Sequence, residues 1–233
     1  MDVEATEAGQ GVLTVKLWVL FAAAGLAGSV AGLVFLQGLA SDLLPDAGTH
    51  GAWYASRAAG MTSYFCLWIG LVGGLLMSAA WFDGIVGRAK LLAIHQSASL
   101  AGVAIGLAHA LILIPDQWTQ FSLFDVLVPF GSYYETLNSG IGQLSLYLAA
   151  VVSFSFWFRA RIGMRAWRLL HYTSFAVYTG ALWHGLQMGT DSQAPWALSF
   201  YLGTSLIVLF SLTIRLTFTK TVRRRVTGSV PIG

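Results

Sequence analysis

Six apolar stretches dominate this sequence, each about as long as the 20 residues a helix needs to cross a bilayer. They run from Leu13 to about Gln37, then Ala58–Phe82, Leu91–Ile114, Leu137–Trp157, Trp167–Met188 and Pro195–Phe218. Apolar residues make up 56% of the 233 positions and charged residues only 10%, against roughly 25% charged in a soluble domain. The pieces between the runs are short. They leave no room for a soluble catalytic domain or a fused dinucleotide- or flavin-binding module. The expected fold is therefore all-α, an integral membrane six-helix bundle. Residues 1–12 form an N-terminal tail, 13–218 the spanning domain and 219–233 a basic C-terminal tail.

Charge placement sets the expected orientation. Of 13 Lys and Arg residues, Arg57 alone follows an odd-numbered span. Lys16 opens the first span, and Arg88, Lys90, Arg159, Arg161, Arg165, Arg168, Arg215, Lys220 and Arg223–Arg225 flank the even loops and the C-terminus. Asp42, Asp46, Asp116, Asp125, Glu135 and Asp191 gather on the opposite face. Basic loops stay cytoplasmic, so both termini are expected inside, in the plasma membrane. The net charge of +3 is then a topology signal and does not point to nucleic acid. Asp2, Glu4 and Glu7 precede the first run in place of a basic patch, and the run exceeds a signal-peptide core, so it reads as a true span. The one cysteine, Cys66, lies within the second span and excludes an intramolecular disulfide. Gly70, Gly73 and Gly74 cluster in that same span, either for close helix packing or as clearance for a flat cofactor.

No acidic or basic side chain occupies the middle of a span. The ionisable groups that enter the membrane are histidines, each about a turn inside a span end: His95 and His109 on the third span, His171 and His184 on the fifth. Ionisable groups at such depth are costly and mark functional sites. The two spans cross in the same direction, and the separations of fourteen and thirteen residues correspond to roughly 21 and 20 Å of helix rise. With the helices side by side, His95 faces His171 near the cytoplasmic end and His109 faces His184 near the outer end. A zinc site needs about four ligands close together, which that separation denies, and a proton relay wants interspersed carboxylates. Opposed imidazoles that grip a haem iron axially fit best. The expected cofactors are two b-type haems, inner (His95, His171) and outer (His109, His184). Fourteen residues at about 100° nearly return to one helix face, whereas thirteen leave the side chain about 140° away. The fifth span must tighten locally or place its haems on different flanks, and Gly180 is the candidate for the irregularity.

Six spans with histidines at these spacings resemble the ferric reductase-like transmembrane domain, the membrane half of ferric reductases and NADPH oxidases. Trp167-Arg-Leu-Leu-His171, continuing through Tyr178 to His184-Gly, is similar to that family's fifth-span pattern, and His95 through His109 to its third. Arg57-Ala-Ala-Gly60 and His184-Gly-Leu-Gln-Met-Gly-Thr-Asp191 resemble strings in short bacterial members. The likeness covers about residues 50–220. Larger members continue into a flavin and nicotinamide domain, and this sequence shows no Gly-rich phosphate loop after a strand. The family's self-contained NAD(P)H-driven activity therefore does not carry over. The resemblance implies ferric iron or a chelate, dioxygen, or a periplasmic redox protein as acceptor.

Haem propionates need cationic partners. Arg168, near one turn before His171, and Arg57, alone on its face, are the candidates. Arg168 has a topology role as its alternative, and Arg57 a salt bridge or solvation. His50 reads as a solvated loop residue beside Asp42 and Asp46. Trp118, Tyr133 and Tyr134 read as interfacial anchors, and Arg223–Arg225 as a lipid-headgroup patch. The expected function is a di-haem membrane cytochrome that passes electrons from a cytoplasmic flavin or iron–sulfur reductase to an external acceptor. It is an oxidoreductase subunit that needs that partner. The other readings are a haem-bearing anchor of a larger redox complex and a haem-free metal or proton transporter.

Overall fold

The computed structural model describes residues 47–79, 87–116 and 119–227. The expected first span, both N-terminal acidic clusters, Lys16 and Trp118 lie outside these residues, as does the end of the C-terminal tail. Among the described residues the chain is helical, with turns and no strand. The helices are α1 (Ala47–Ala79), α2 (Arg88–Ile112), α3 (Leu123–Leu127), α4 (Thr136–Ile162), α5 (Met164–Tyr172), α6 (Ser174–Met188) and α7 (Pro195–Thr227). Four of them, α1, α2, α4 and α7, are long and apolar enough to cross a membrane.

Two boundaries differ from the sequence expectation. Helix α1 begins at Ala47, well before the apolar run at Ala58, so His50 lies in its first turn and not in a loop. Helix formation needs only internal backbone hydrogen bonds, whereas apolarity marks where lipid begins, and the two need not coincide. Helix α7 likewise continues to Thr227 and carries Arg223–Arg225 on its last turns. Its start is set by Pro195, whose fixed φ and missing N–H suit the first helical position.

The expected fifth span is broken. Thr173 separates α5 from α6, with its N–H bonded to the carbonyl three residues back (Leu170, 3.1 Å) and its hydroxyl donating to the same oxygen at 2.6 Å. A three-residue turn winds faster than an α-turn, which adds rotation in the sense that the thirteen-residue spacing lacks. The irregularity thus lies at Thr173, not at Gly180. A side chain at Gly180 would strike Ser145, so that glycine serves close approach to α4.

Helix α1 packs along α2, α6 and α7, while α4 packs along α6 and also meets α2 and α5. Followed in order, α1, α2, α4 and α6 close a ring, with α7 laid against α1. The histidine-bearing helices α2 and α6 are therefore diagonal neighbours across a bundle, not side by side. The ring is lined by small and hydroxylated residues: Ser56, Ser63, Ser139, Ser145 and Ser155 are buried, and Leu202, Leu206, Leu209 and Phe210 of α7 are exposed. Large apolar groups outward and small ones between helices are what packing in lipid selects. Buried hydroxyls bond helix carbonyls, Ser145 to Ile141 and Ser155 to Val152, each at 2.7 Å, so none opposes the packing. At the centre, Tyr64 joins three helices: its hydroxyl lies 2.7 Å from Thr204 and 3.0 Å from Tyr178.

Short connections close both ends. Gly163, with φ of 83°, ends α4 and starts α5. At the other end, Ser122 and Asp125 form a reciprocal cap on α3. The Ser122 hydroxyl and N–H both donate to Asp125 and hold its carboxyl below the usual carboxylate range. Gln143 of α4 donates to the Asp125 and Val126 carbonyls, which lays α3 against the mouth of the bundle.

Candidate functional site: two histidine pairs

The bundle brings the four histidines together in two pairs. His95 of α2 faces His171 of α5 with ring centroids 5.9 Å apart and planes at 68°. His109 of α2 faces His184 of α6 at 6.1 Å and 79°. The pairing follows depth, as the spacing predicts, although the helices meet diagonally.

Three of these imidazoles are held by one repeated device. The Nδ1 of His95 donates to the Gly70 carbonyl at 2.7 Å, that of His109 to the Ser56 carbonyl at 2.7 Å, and that of His184 to the Asn138 carbonyl at 2.9 Å. In each case the residue four further along the accepting helix is a glycine: Gly74, Gly60 and Gly142. A Cβ there would sit 3.3 Å from His95 Cε1, 3.0 Å from His109 Cε1 and 2.7 Å from His184 Cε1. A helix carbonyl already accepts from the N–H four residues on. Its second lone pair is reachable by an imidazole only where the side chain beside it is missing. Because a carbonyl only accepts, Nδ1 carries the proton and Nε2 presents its lone pair, the arrangement metal-ligating histidines adopt. Ser56, fully buried, adds a hydroxyl bond to the His109 carbonyl at 3.1 Å. Of the mid-span glycines, Gly74 thus admits a histidine ring, while a side chain at Gly73 would meet His95 Cβ at 3.6 Å and one at Gly70 would strike Ser99.

His171 is held differently, with Trp167 stacked on it at 5.0 Å and 23°. The remaining sequence candidates lie further out. Arg57 is ion-paired with Asp191 and lies 4.3 Å over the Trp53 ring. Arg168 is exposed and its Nε donates to Met164 of its own helix at 3.2 Å. The residues that spacing did not single out are Ser56, Asn138, Gly60 and Gly142, together with Arg215, whose guanidinium lies 5.7 Å from the Tyr172 ring next to His171.

Whether the pairs suit a metal can be judged from their separation. An imidazole nitrogen lies about 2.0–2.1 Å from a bound first-row metal, so two rings facing through one metal have centroids about 6.3 Å apart. The observed 5.9 and 6.1 Å match this within a few tenths of an ångström. Among the described residues no group of three or more His, Cys, Asp and Glu is placed to hold a metal ion. No protein-family model, no curated protein and no solved structure matches the chain.

Proposed function

We propose that this chain is a di-haem b-type membrane cytochrome, similar in plan to the ferric reductase-like transmembrane domain. It carries electrons from a cytoplasmic donor to an external acceptor. The observation that carries the reading is the geometry of the two pairs: opposed imidazoles at 5.9 and 6.1 Å, stacked along one apolar bundle. His95 with His171, and His109 with His184, would each hold one haem, which would supply one-electron exchange and leave no iron position open to substrate. The chain's own residues do the rest. The carbonyls of Gly70, Ser56 and Asn138 fix three ring tautomers, and the glycines leave room for the rings. Arg88, Lys90, Arg159, Arg161, Arg165 and Arg168 all lie at the His95–His171 end of the helices. That charge excess supports a cytoplasmic position for this end, with Asp116, Asp125, Glu135 and Asp191 outside. Outward electron flow is then downhill by about 2.3 kcal/mol per charge per 100 mV. A flavin or iron–sulfur protein supplies the electrons.

The test is a reduced-minus-oxidised spectrum with haem quantification on purified protein. Near two b-type haems per chain are expected. Protein without a Soret band would overturn the reading in favour of a histidine-based transporter. Two haems without acceptor reduction, together with a stably co-purifying partner, would make it the anchor subunit. The Arg57–Asp191 pair is partly exposed, at 24% and 46%, so breaking it should cost less than about 1 kcal/mol. Arg57→Gln and Asp191→Asn are expected to lower the thermal midpoint slightly and to keep both haems. Loss of the outer haem in Arg57→Gln alone would instead give Arg57 to a propionate.

A further inference from the structure

The His95–His171 end differs from the other in how its second imidazole is held. Among the described residues no carbonyl accepts a hydrogen bond from His171. Instead Trp167, one turn earlier on the same face of α5, lies nearly parallel to it at 5.0 Å. The indole Nε1 is buried and has no hydrogen-bond partner among the described residues. An indole nitrogen only donates, and a buried donor left without an acceptor calls for a reason. Arg168 follows Trp167 directly in the chain, and Arg215 of α7 lies over the ring of Tyr172, the neighbour of His171. A buried free donor, stacked on one ring of a facing histidine pair, suits an anionic oxygen that arrives with the bound group.

We infer that Trp167 is the positioning residue of the His95–His171 site. Its indole sets the plane of His171 in place of the carbonyl that holds the other three rings, and its N–H donates to a carboxylate oxygen of the haem held there. This rests on the di-haem reading. The two roles separate on substitution, because phenylalanine keeps a flat ring and loses the donor, whereas alanine loses both.

The experiment uses the full chain in detergent and compares wild type, Trp167→Phe and Trp167→Ala. It reads haem per chain, the anisotropy of each low-spin ferric EPR signal, and each haem's midpoint potential. The inner signal is the one absent from His171→Ala. In Trp167→Phe the inner signal should keep its shape and the haem count should hold. The inner midpoint should fall, because a carboxylate without its donor favours ferric iron, and the outer midpoint should stay. In Trp167→Ala the inner signal should change shape and inner haem should be lost preferentially, while the intact outer haem reports a folded bundle. An unmoved inner midpoint in Trp167→Phe, an unchanged inner signal in Trp167→Ala, or equal shifts in both haems would overturn the inference. Wild-type protein without haem would overturn the di-haem reading itself. Two wild-type haems with silent Trp167 variants would overturn only the role of Trp167.

Discussion

Alanine at His109 and alanine at His184 are each expected to remove the same haem, taking the content from near two per chain to near one. On the di-haem reading both rings of a facing pair bind one iron, so the second substitution removes nothing the first has left. The double variant His109→Ala/His184→Ala should therefore match either single one, the non-additivity expected of groups that act as a unit. The cross-pair variant His95→Ala/His184→Ala should lose both haems. Haem quantification and the reduced-minus-oxidised spectrum read all of these. A haem retained in the cross-pair variant, or a further loss in the same-pair double, would contradict the pairing that the 5.9 and 6.1 Å separations describe. The effect is large because nothing nearby replaces a missing ligand: no third His, Cys, Asp or Glu joins either pair among the described residues.

A single methyl group at Gly142 should act almost as strongly. Alanine there would drive its Cβ into Nδ1 of His184 and to 2.7 Å from Cε1, closer than real side chains approach. The ring cannot withdraw without giving up its bond to the Asn138 carbonyl. Gly142→Ala is therefore expected to lose the His109–His184 haem and spare the other. Gly60→Ala, with 3.0 Å to His109, should weaken that haem partially, and Gly74→Ala, with 3.3 Å to His95, should be mild. The order runs against backbone preference. Alanine in a helix is favoured over glycine by about 0.5–1 kcal/mol, so any loss comes from the ring it displaces. Equal haem retention in all three variants would refute the clamp.

The histidines were legible in the sequence because polarity inside an apolar run stands out, and their spacing placed them at two depths. The arrangement of helices around them was not. Spacing along a helix gives depth but says nothing of which neighbour lies beside it, so α2 and α6 read equally well as adjacent or diagonal. The clamps were hidden for another reason. Each joins a carbonyl and a glycine on one helix to a histidine on another, and 26 glycines offer too many combinations to choose among. The break near His171 carried only half a signal. The thirteen-residue interval demanded an irregularity, but Gly180 drew attention by its identity. Thr173 makes the turn through a side-chain bond to Leu170, which an ordinary β-branched residue does not advertise.

The clamps also divide the bundle along the chain. His95 and His109 are both held by α1, the helix just before their own, and His184 is held by α4, the helix before α5 and α6. Each helical hairpin thus carries within itself the contacts that orient its own imidazoles. On the di-haem reading, these three rings need no cofactor to set them, and the Trp167–His171 segment is the part left to be fitted when haem binds.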